Sequence, residues 1–173
     1  MTRANRYRPL CLSVAVCGLL ACGAEARAKD LHWVRPRIGQ RGTTVEVVLQ
    51  GRGLGDPREL VFHKPGIRAV SVEPLPPLDH PRGLAHGEAI EEQARAVLEI
   101  APDCEPGEHP FRLRTATAFS VLGTFHVSPF PVVAETSAAN NTIESAQPVA
   151  ADVTVLGMAG ADPDVFKVPA VAG

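Results

Sequence analysis

Read for alternation, the middle of the chain is a succession of short strands. Residues 43–50 (TTVEVVLQ) set Thr43, Val45, Val47 and Leu49 on one face and Thr44, Glu46, Val48 and Gln50 on the other. A period of two with β-branched residues marks a half-buried strand, because successive side chains point to opposite faces of a sheet. Turn formers bracket it, PRIGQRG before and GRGLGDP after. Residues 59–63 (ELVFH) predict a second strand, with GRGLG as a hairpin connection between the two. KPGI then predicts a turn, and residues 67–73 (IRAVSVE) a strand with Ile67, Ala69 and Ser71 opposite Arg68, Val70 and Val72. Residues 74–93 read as a long connection containing Pro and His. The stretch GEAIEEQARAVLEIA is made of good helix formers, yet its setting predicts a strand over 94–101 that buries Ala94, Val97 and Ile100. Pro102, Asp103, Pro106 and Gly107 predict a turn. Phe111 and Leu113 then alternate with Arg112 and Arg114, and residues 118–128 give a bent strand or strand pair with Phe125 and Val127 on one face. Five to seven short strands punctuated by Gly and Pro predict an all-β sandwich.

The pattern changes on either side of this body. Residues 128–135 (SPFPVVAE) are extended and broken by proline, which predicts a linker over 129–134. Beyond it, Val153 and Val155 alternate with Thr154 and Leu156, and Val165 and Lys167 with Phe166 and Val168. These predict the first two strands of a second unit, a hairpin that is marginal alone. At the other end, Arg3, Arg6 and Arg8 precede an apolar run over residues 10–21, too short to span a bilayer. Small residues follow, and Ala26-Arg27-Ala28 fits a cleavage site before Lys29. This is the layout of a cleaved export signal over 1–28. LLAC at 19–22 offers a second route, lipidation of Cys22, although Leu20 is larger than is usual there.

Cleavage alters the composition. Four arginines and one glutamate leave with residues 1–28, so the formal charge moves from −2 to −5. A mildly acidic chain without a predicted basic face does not point to nucleic acid. Three of the four cysteines also leave, and Cys104 alone excludes an intramolecular disulfide. Cys104 lies in the turn PDCEPG with no predicted activating neighbour. Trp33 is the single tryptophan, which argues against an aromatic platform for sugars.

The terminal segment ETSAANNTIESAQPVAADVTVLGMAGADPDVFKVPAVAG resembles the start of the bacterial pre-peptidase C-terminal domain. The matching residues are Asn140, Asn141, Thr142, Ala146, Gln147, Pro148, Val149, Gly157, Asp162, Asp164 and Phe166. From Trp33 to Ser128, PRIGQRGTTVEVVLQGRGL and CEPGEHPFRLRT are similar to an IPT/TIG-type immunoglobulin-like module. Such parts combine in large exported proteins of planctomycete-type bacteria. The resemblance implies an immunoglobulin-like sandwich over 29–128 and the truncated start of a second sandwich over 135–173. It also implies a calcium site in some members, here matched by Glu135, Asn140, Asn141, Asp162 and Asp164. Ser137, Ala138 and Ala139 replace the Glu-Pro of that pattern, which removes one oxygen ligand.

Motifs for catalysis do not accompany this. The six histidines are scattered, without an H-E-x-x-H pair, and no G-x-S-x-G or phosphate-binding loop occurs. His80 and His86 share the long connection with Asp79 and Glu88, a solvated loop before a metal site. The expectation is therefore a non-catalytic, exported binding or spacer module without a cofactor. Its partner would be a protein or a matrix or cell-surface component. The alternative is the accessory N-terminal part of a secreted protease or other hydrolase whose catalytic domain lies outside this chain.

Overall fold

The computed structural model describes residues 29–77, 92–136, 140–157 and 163–170. Two four-stranded sheets form its body. One orders β1 (Asp30–Arg35), β3 (Thr44–Arg52), β6 (Glu92–Ile100) and β5 (Ile67–Leu75) as β1-β3-β6-β5, antiparallel throughout. The other orders β2 (Ile38–Gln40), β8 (Gly123–Ser128), β7 (Gly107–Thr115) and β4 (Pro57–Phe62) as β2-β8-β7-β4, with only β2 and β8 parallel. Lettered along the chain, this is ABED against A′GFC, an immunoglobulin-like β-sandwich.

The alternation read from the sequence supplies the core. Val47 and Leu49 of β3, Phe111 and Leu113 of β7, and Phe125 and Val127 of β8 are all buried in one cluster. Phe62 tilts against Phe111 with ring centroids 5.3 Å apart. β6 is a strand despite its helix-forming composition, because Ala94, Ala96, Leu98 and Ile100 form a strict inward row flanked on both sides by β3 and β5. Val97 therefore faces outward between Glu46 and Ser71. The strand is as expected and Ala94 and Ile100 are buried, but the period of two puts Ala96 and Leu98 in the core with them in place of Val97.

Two further expectations shift. On β5 the register slips between Ala69 and Ser71. A bulge adds one residue and reverses which parity faces the core, so Ala69 and Val72 both pack inward while Val70 is 43% exposed. GRGLG is not a hairpin connection, since β3 and β4 lie in different sheets and this segment carries the chain between them. Gly51 is required there, because a Cβ would come within 1.9 Å of the Asp30 carbonyl oxygen.

Beyond the body, β9 (Val132–Ala134) pairs in parallel with β11 (Thr154–Leu156), and β10 (Gln147–Pro148) in parallel with β12 (Phe166–Lys167). The two strands expected to form a hairpin do not pair with one another. The proline-broken segment takes one of them instead. Thr154 N–H donates to the Pro131 carbonyl at 2.8 Å and Glu135 N–H to Leu156 at 3.0 Å, and Ser128 Oγ lies 2.6 Å from Thr154 Oγ1.

Candidate functional site

In the terminal segment Glu135, Asn140 and Gln147 meet around one node. Asn140 is buried, its side-chain amide donates to Glu135 Oε1 at 2.8 Å, and its carbonyl accepts from Val165 N–H at 2.8 Å. Gln147 completes the clasp. Its Nε2 donates to the Ala134 carbonyl at 3.2 Å, and its Oε1 accepts from Thr136 N–H at 3.1 Å. Gln147 N–H in turn donates to the Val165 carbonyl at 3.0 Å, and Lys167 Nζ donates to the Glu144 carbonyl at 3.2 Å. A Cβ on Gly157 would stand 3.1 Å from Glu135 Oε2, so the absent side chain leaves space for the carboxylate.

Of the five candidate calcium ligands, Glu135 and Asn140 touch each other. Asp164 is exposed on the residue before Val165, and Asn141 is half-buried beside Asn140. Asp162 lies outside the described residues. A hard cation needs six to eight oxygens directed at one point. Asn140 presents its N–H₂ to Glu135 and its backbone oxygen to Val165, so these two groups hold neighbouring segments together. Among the described residues no group of three or more His, Cys, Asp or Glu is placed to hold a metal ion. Asp79, His80, His86 and Glu88 fall outside the described residues.

Cys104 has a neighbour that the sequence reading did not supply. His109 is buried, with Nε2 3.6 Å from Cys104 Sγ and 2.7 Å from the Glu105 carbonyl. A carbonyl only accepts, so Nε2 carries the hydrogen and donates it there. A nitrogen that is already donating does not take the proton of the thiol, and Nδ1 is buried without a partner among the described residues. Burial pushes the Cys104 thiol above its ordinary value, and the nearby Asp103 and Glu105 carboxylates add to this. The pair has the composition of a nucleophilic dyad but neither its polarity nor its access. The only hint in the sequence was spacing, since Cys104 and His109 flank the tight turn at Pro106-Gly107.

An open groove of about 470 Å³ runs between three turns, lined among others by Gly42, Thr43, Gly66, Arg68, Glu99 and Pro102. Arg68 and Glu99 pair with each other across its side, which leaves no free ionised group converging on it. No helix among the described residues is long and apolar enough to cross a membrane. No known family matches the chain, and no curated protein matches it either.

Proposed function

We propose that this chain is a non-catalytic, exported binding or spacer module of a larger extracellular or cell-surface protein. The observation that carries the reading is how its polar side chains are used. Glu135, Asn140 and Gln147 fasten strands of the terminal unit, and the buried Cys104–His109 pair braces a turn. The immunoglobulin-like body beneath them is a scaffold on which function is carried by surfaces and loops. The leader layout at residues 1–28 supports export, and the ordered match over 135–173 supports membership of a modular exported protein.

Export is tested by expressing the whole chain in a bacterial host, fractionating the cells and reading the mature N-terminus by mass spectrometry. The expected product begins at Lys29 outside the cytoplasm. A lipid-modified product beginning at Cys22 would place it on the membrane surface. An intact leader on cytoplasmic protein would overturn the reading.

A further inference from the structure

Most arginines of the described body are engaged. Arg68 pairs with Glu99, Arg95 with Glu73, Arg114 with Glu59, and Arg112 donates to the Ser120 carbonyl. Four exposed arginines have no carboxylate partner among the described residues: Arg58, alone on the edge strand β4, and Arg35, Arg37 and Arg41, which lie together. These last three follow one another where the chain leaves β1, an edge strand of one sheet, and becomes β2, an edge strand of the other. From residue 31 to residue 45 the chain carries these three cations and no acid. Glu46 is the first acid after them, and it acts on Arg95 across the sheet. Arg35 also lies over Trp33, 5.0 Å from the ring centroid, which holds its side chain against the edge.

We propose that this arginine edge binds a linear acidic polysaccharide. Arg35 and Arg41 are six residues apart, and the chain bends at Pro36 and turns at Arg41, so the three charges lie well within the roughly 22 Å of a fully extended segment and within reach of one polymer strand. Arginine presents a planar fork that meets carboxylate or sulfate groups in pairs. The net charge of the molecule is negative, yet charges beyond about 8–10 Å are screened at physiological salt, and the local edge decides the contact. Binding here uses charge and needs no second aromatic ring. The source of the polymer follows from the exported reading, while the edge itself does not depend on it.

The test is retention of the whole chain on immobilised heparin at physiological salt, with dextran sulfate, polygalacturonate and duplex DNA as competitors. The wild-type chain should be retained and released by either polysaccharide, the stronger one showing whether sulfate or carboxylate is preferred. The triple variant R35Q/R37Q/R41Q should bind roughly tenfold more weakly, as expected for three exposed ion contacts. R68Q/R95Q/R114Q, with the same change in net charge, should bind as the wild type does. No retention of the wild type, equal loss in both triple variants, or stronger competition by DNA than by polysaccharide would overturn the proposal. Retention by a chain found in the cytoplasm would refute export and leave the edge standing, so the two readings fail separately.

Discussion

At the scale of single residues, the sequence identified Cys104 as a turn cysteine but could not place His109 against it. The contact depends on how tightly the turn folds back. Gly66 contributes as much as either partner, since at φ +102° it covers the thiol so closely that a Cβ would meet Sγ at 2.5 Å. The buried thiol keeps its proton to a higher pH than it would in an unfolded chain. An unfolded cysteine ionises near pH 8.5, so the unfolded state gains above that pH and stability declines as the pH rises toward the folded value. We predict that a chain beginning at Lys29 loses stability from about pH 8.5 upward, and that Cys104→Ser removes this part of the slope. Denaturant titrations at several pH values measure the difference. The native thiol should also resist a soluble disulfide reagent until the protein is unfolded. Rapid labelling of the native chain would contradict the polarity assigned to the pair.

At the scale of elements, what sequence reasoning recovered and what it missed have the same physical origin. β3, β7 and β8 were legible because each alternates without interruption, and β3 and β8 pair in register along their length with β6 and β7. Apart from Val97 on β6, where apolar residues stand on both faces of a strictly alternating strand, the misses fall where alternation breaks. β1, β4 and β5 are edge strands, and each carries a register shift: at Leu31/Trp33, Pro57/Glu59 and Ala69/Ser71. Bulged edges discourage pairing with other chains, and a bulge has no reliable mark in a single sequence. On β6 the difference is testable by comparing neighbours. Leu98→Ala should cost about 2–5 kcal/mol, as for a buried leucine, whereas Val97→Ala should cost less than about 1 kcal/mol. Equal effects would mean that the strand is not alternating as described. In the terminal unit, Asn140→Ala should remove a buried hydrogen bond to a carboxylate, worth roughly 1.5–3 kcal/mol. Faster amide exchange at Val165 is the expected sign, with the amides of β6 unchanged. Calcium and chelator should both leave Val165 exchange where it is. Slowing by calcium would instead make Glu135 and Asp164 oxygens part of a cation site.

At the scale of the whole molecule, the body and the terminal unit are held by different amounts of the same forces. The body closes fourteen buried apolar residues into one cluster, drawn from both sheets. The terminal unit has strands of two or three residues, and Ala146 is its one buried apolar residue among those described. Ile143 and Val168 remain 76% and 55% exposed. Its order therefore depends on hydrogen bonds to the proline-broken segment after β8 and on the contact between Ser128 and Thr154. Solvent competes well for such bonds when little apolar surface shields them. We predict that residues 29–128 unfold cooperatively on their own, and that residues 132–173 do not. Circular dichroism on heating reads both, with a sigmoidal transition expected from the first and a featureless slope from the second. In the full chain the terminal unit should lose its signal first, and Ser128→Ala should bring that loss to lower temperature while moving the main transition little. A cooperative transition from isolated 132–173 would show that the clasp around Asn140 is sufficient without the sandwich, and it would move the source of the unit's stability from its docking to its own hydrogen bonds.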